Sequence, residues 1–116
     1  MVLIRPAPLG QPNVFQKGGS QMTKILDEEI KRAAVDNMVK NLAVLRTMLN
    51  LSQAELASLI GLGRQSFVAI ENRKRNMTWS VFLSLMFVFS QHPQTRALLE
   101  LFEIYTPEMK QLYCDG

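Results

Sequence analysis

Apolar positions recur every three or four residues from Thr23 to Asn50. Leu26, Ile30, Ala33 or Ala34, Met38, Leu42, Leu45 and Leu49 therefore share one face of a helix. Asp27, Glu28 and Glu29 stand at its start, where the positive end of the helix dipole favours acids. Asp36 is a candidate break, which would set residues 23–35 apart as an additional helix. Asn50-Leu51 reads as a turn with Leu51 buried. A second stripe of Leu56, Leu59 and Ile60 follows, with Ala57 small enough for close helix approach, and then a third apolar pair, Phe67 and Ile70.

The polar residues around these stripes supply their stops and starts. Ser52 and Glu55 have capping-box spacing, each side chain reaching the other's backbone N–H. Gly61 falls where the chain must leave the helix with a positive φ, and Gly63 is an acceptable N-cap for a helix over about Arg64 to Glu71. Two short helices joined by a tight turn is the layout of a helix-turn-helix. The outer face of the second carries Arg64, Gln65 and Ala69. An Arg fork matches guanine O6 and N7, a Gln amide matches adenine N6 and N7, and an Ala methyl packs on a thymine methyl. The alternative is an ordinary αα-hairpin with a solvated polar face.

The run SQAELASLIG-LG-RQSFVAIEN resembles the Cro/CI-type (XRE-family) helix-turn-helix of phage repressors and small bacterial regulators. The similarity extends from about Asn41 to Ser90. It implies an all-α, lambda-repressor-like DNA-binding domain of about five helices, with its second motif helix in the major groove. The family domain usually begins near Asn37, so residues 23–35 read as an extra N-terminal helix or a helical extension. Carried over by position, the resemblance places Arg64, Gln65 and Ala69 at base edges. Gln53 then bonds a phosphate and braces Gln65, and Ser66 lies near the DNA backbone. Arg46 and Glu71 match a structural pair tying the first helix to the end of the recognition helix. The chain departs from the family at Gly63, where Ser or Thr is usual, and at Arg73, where Gly is usual. With no Gly there, Asn72 is the expected left-handed residue. Arg73, Lys74 and Arg75 form a basic loop suited to holding phosphates; the plain alternative is a solubilising charge run.

Thr78 is placed to cap a fourth helix over Trp79 to Phe89, apolar on every face yet far short of the about 20 residues a membrane span needs. A small domain rarely buries such a helix unaided, so some of Trp79, Val81, Phe82, Leu85 and Phe89 should pack under another element or a second subunit. Pro93 suits the first position of a fifth helix, with Leu98, Leu99, Leu101, Phe102 and Tyr105 as a wide apolar face. Thr106-Pro107 opens a last turn carrying Met109, Leu112 and Tyr113. This C-terminal hairpin should cover the fourth helix, within the chain or across a dimer interface. Residues 1–22 contain Pro6, Pro8, Pro12 and Gly18-Gly19-Ser20 and read as a flexible tail; the alternative is a DNA-contacting or dimer-crossing arm through Arg5 and Lys17. The expected organisation is a tail (1–22), a helix-turn-helix domain (23–90) and a dimerising extension (91–116).

Charge sharpens this picture. The net charge is +3, but residues 23–96 carry ten Lys/Arg against six Asp/Glu, while residues 97–116 carry one Lys against four acids. Positive charge thus sits with the motif, as phosphate binding requires. Cys114 has no partner for an internal disulfide, which suits a reducing cytoplasm. His92 stands without companion ligands, so no metal or other cofactor is expected. Gly61-Leu62-Gly63 lacks the strand and Lys-Ser/Thr of a nucleotide loop, and no nucleophile–base set is visible, so an enzyme is not expected. Two functions remain. One is a homodimeric transcription regulator, a repressor, on double-stranded DNA. The other is an antitoxin or adaptor whose apolar 79–105 region binds a protein partner such as a toxin.

Overall fold

The computed structural model describes residues 27–113, and all of its regular structure is helical. The expectations for the tail, for residues 23–26, for Cys114 and for the Leu112 and Tyr113 side chains lie outside what is described. Helix α1 spans Glu28–Met48, α2 Gln53–Leu59, α3 Arg64–Glu71, α4 Trp79–Ser90, α5 Pro93–Leu101 and α6 Pro107–Tyr113.

Asp27 caps α1, its Oδ1 accepting from the Ile30 N–H at 3.0 Å. Ala34, Met38, Leu42 and Leu45 form its buried stripe. Asp36 does not break the helix, and the described part of residues 23–35 is a helical extension rather than a separate helix: the first third of one 21-residue helix. Asp36 lies on the outer face, where solvent and ion pairs to Lys40 (3.3 Å) and Arg73 (3.6 Å) satisfy its carboxylate. Its modest helix propensity is then outweighed by the buried residues on either side.

Four helices end in one way. A residue with positive φ follows the C-cap: Asn50 (56°) after α1, Gly61 (74°) after α2, Arg73 (64°) after α3 and Glu103 (60°) after α5. In each case the next residue's N–H reaches back to a carbonyl five positions earlier, as in Leu62 to Ala57 (2.8 Å) and Lys74 to Ala69 (2.8 Å). This is the Schellman motif, which satisfies carbonyls the helix leaves open. After α5 it folds Ile104 back onto Leu99, and both are buried. Asn72 is not the left-handed residue expected; its φ is −87°, and Arg73 takes that conformation instead.

The core joins the α1 stripe to Leu56, Ala57, Phe67, Ile70, Met77, Phe82, Leu85, Phe89, Leu99, Ile104 and Met109. Helix α1 runs beneath α3, α4 and α5; α2 packs on α3, and α5 on α4. The C-terminal hairpin therefore covers α4 within the chain. Thr78 caps α4 through Val81 N–H (3.2 Å), and Trp79 stacks on Phe82 with ring centroids 4.6 Å apart. Buried Thr95 gives its hydroxyl proton to the Phe89 carbonyl, locking α5 to the end of α4. Leu51 and Ile60 are only half-buried, and the apolar face of α5 is narrower than its composition suggests, because Leu101 points outward at 71% exposure. No helix among the described residues is long and apolar enough to cross a membrane.

Candidate nucleic-acid interface

Helix α3 has one buried side and one open side. Phe67 and Ile70 anchor it in the core, while Arg64 and Gln65 at its first turn are exposed. Among the described residues neither side chain has a hydrogen bond or ion pair. Ser66 and Ala69 are half-buried beside them. The turn holding this helix is built as its residues dictate. The Ser52 hydroxyl accepts from Glu55 N–H (3.0 Å) and the Glu55 carboxylate from Ser52 N–H (2.8 Å). Gly61 supplies the left-handed step that most side chains resist. Gly63 caps α3 with no side-chain bond, so the first-turn N–H groups keep their donors free of a cap.

A polar cluster fixes α3 from behind. Arg46 on α1 donates Nε to Glu71 Oε2 (3.1 Å) and Nη2 to Glu71 Oε1 (3.3 Å), while its Nη1 bonds the Leu51 carbonyl (2.9 Å). The Gln53 amide also donates to Glu71 Oε1. The expected structural pair is thus present and gains a third member. Gln53 is bonded to Glu71 rather than bracing Gln65; the carboxylate at the end of α3 is the stronger acceptor. One cluster therefore ties α1, the start of α2 and the end of α3 into a rigid unit. Its two charges are mostly withdrawn from solvent, at 18% and 8% side-chain exposure, where screening by salt is weak.

The basic loop is partly engaged. Arg75 donates to the Ser66 hydroxyl (2.8 Å), which draws it alongside α3. Arg73 leans toward Asp36 of α1 at 3.6 Å, with both side chains about half exposed. Lys74 is exposed and, among the described residues, unpaired. Asp36 and Arg32, on the early part of α1, adjoin this loop; the sequence marked Asp36 only as a candidate break and Arg32 not at all, because their approach depends on tertiary packing that no local pattern encodes. Among the described residues no group of three or more His, Cys, Asp or Glu is placed to hold a metal.

Arg73 carries a conformational cost. A side chain in the left-handed region is disfavoured by roughly 1 kcal/mol relative to Gly, and a half-exposed ion pair returns at most about that much. Arg73→Gly is expected to raise stability by up to about 1 kcal/mol in a denaturant titration. If Arg73 holds a phosphate, the same variant will bind every DNA sequence more weakly. A variant that is both less stable and unchanged in DNA binding would contradict both roles.

Among the described residues the side chains of Arg64, Gln65 and Lys74 are free on this face, and Ser66, Arg73 and Arg75 border them. A scan against protein-family models finds no match for this chain, and searches of the curated proteins and of the solved structures find none either.

Proposed function

We propose that the chain is a sequence-specific DNA-binding transcription regulator of Cro/CI type, a repressor acting as a homodimer, and not an enzyme. One observation carries the reading: the Arg64–Gln65 end of α3 is exposed and unpartnered, on a helix clamped behind by Arg46, Gln53 and Glu71. Preorganised donors facing solvent suit base edges, because no internal bond must break before they bind. In this reading α3 enters the major groove, Arg64, Gln65 and Ala69 meet bases, and Gln53, Ser66, Arg73, Lys74 and Arg75 hold phosphates. The second amide proton of Gln53 is the one that would reach DNA.

Two copies would place their α3 helices in successive major grooves about 34 Å apart, reading a near-palindrome. Selection of bound sites from random DNA by the purified full chain tests this. Enrichment of two inverted half-sites about one helical turn apart is expected; recovery of no common sequence would remove the proposal. Lys74→Ala should weaken binding to all sequences alike and lower the salt slope by about 1. A sequence-dependent loss would instead make Lys74 a base reader.

A second reading is favoured by a different surface. Phe87 and Leu101 are 66% and 71% exposed, more apolar surface than a minimal DNA-binding domain needs. In an adaptor or antitoxin this region would bind a protein partner. Sedimentation of the purified chain separates the two: a stable dimer supports self-association, whereas aggregation cured by one co-expressed protein supports the adaptor.

A further inference from the structure

An open cleft of about 630 Å3 lies between the early part of α1, the end of α3 and the loop leading to α4. Its volume falls in the range of small-molecule sites. Val35, Val39, Ile70 and Met77 give it an apolar floor, and the indole of Trp79 closes one end. The rim is cationic. Lys31 is held near Glu28 (3.9 Å) and over the Trp79 ring (5.4 Å), and Arg73 faces Asp36. Two further guanidiniums of the rim form no ion pair among the described residues, although Glu28 and Asp36 also line the cleft. Arg32 is exposed without a partner, and Arg75 bonds only the neutral Ser66 hydroxyl.

We propose that this cleft binds a small amphiphilic anion: a carboxylate, sulfonate or phosphate held by Arg32 and Arg75, carried on an apolar body that lies against the Val35–Met77 floor. Guanidinium forks match planar or tetrahedral oxyanions with paired hydrogen bonds, and the floor supplies the burial that a bare ion would not gain. The site stands on the cleft alone. Its consequence rests on the DNA-binding reading: Arg75 is also a proposed phosphate contact, so the anion and DNA compete for it, and the ligand acts as an inducer that releases DNA.

The probe for the test is anilinonaphthalene sulfonate, with phenylnaphthylamine as the same apolar body lacking the sulfonate. Trp79 is the only tryptophan of the chain, so energy transfer from it to the probe reads occupancy of the full-length protein. Saturable binding of one probe per chain is expected, with the neutral analogue at least roughly fivefold weaker, as is typical when a charge-assisted bond is lost. Arg32→Gln and Arg75→Gln should each weaken the sulfonate by a similar factor, while Phe87→Ser, at an exposed position of α4 outside the cleft, leaves it unchanged. Arg32 has no partner among the described residues, so its variant should melt as the wild type does. Equal affinity of wild type and Arg32→Gln, or loss of binding in Phe87→Ser, overturns the proposal. A second arm measures how far saturating probe weakens binding to the selected DNA. That antagonism should vanish in Arg32→Gln. Should the wild type select no DNA, the regulator reading fails, and probe affinity still decides the site.

Discussion

Phe82→Ala should remove roughly 3–5 kcal/mol of folding stability, as much as a single core truncation is expected to cost. Phe82 is fully buried beneath α1 and is stacked by Trp79. Its removal leaves a cavity that the surrounding Leu85, Phe89 and α1 side chains cannot fill without leaving their rotamers. For a domain of this size that amounts to about a third or more of the total and a fall in Tm of roughly 15–30 °C. Phe87→Ala is the matching control: same helix, same atoms removed, but an exposed ring. It should change the unfolding free energy of the chain by less than about 0.5 kcal/mol. If copies associate through Phe87, its loss appears in the dimer dissociation constant. Denaturant titration of the two variants side by side, with Trp79 emission as the signal, checks the pair. Similar losses in both would mean that α4 is not oriented as described.

Glu71→Ala should cost roughly 2–4 kcal/mol, because it strands the Arg46 guanidinium and the Gln53 amide in a partly buried pocket. The loss is softened by the Arg46 bond to the Leu51 carbonyl, which survives. Replacing both charges with apolar groups of similar volume, Arg46→Met with Glu71→Leu, should recover most of that stability. DNA binding should not recover with it, since the start of α2 and the end of α3 would no longer be held in register. A thermodynamic cycle over the two single variants and the double measures the coupling. Additive losses would show that the cluster contributes nothing as a unit.

Much of the site was legible in the residues because it is built from short-range chemistry. The Ser52–Glu55 box, the Gly61 turn, the bounds of α3, the Thr78 cap and Pro93 at the first turn of α5 each depend on a few neighbouring positions. The Arg46–Glu71 pair spans 25 positions, and it came from the resemblance rather than from any spacing rule. What was not legible depends on where distant elements meet. Asn72 has the better left-handed preference, but α3 runs on to Glu71 with Asn72 as its C-cap, so the positive φ falls on Arg73, and the N–H groups of Arg73 and Lys74 close the turn onto Ile70 and Ala69. Asp36 reads locally as a helix breaker; a continuous apolar stripe beneath it and a cation on the loop after α3 keep the helix whole. The apolar residues of α5 do not reveal which side meets α4, so outward Leu101 was grouped with buried Leu99. The resemblance set Gln53 against a phosphate and Gln65; only the fold brings the Glu71 carboxylate to it.

Arg64 and Gln65 at the start of α3 are the proposed base readers. The decisive variant is Gln65→Ala, measured against the selected operator and a panel in which each base pair is changed in turn. A loss of roughly 1–3 kcal/mol is expected on the selected operator, with discrimination relaxed at one base position per half-site and kept at the others. An equal loss on every member of the panel, or no loss at all, would remove Gln65 from that role.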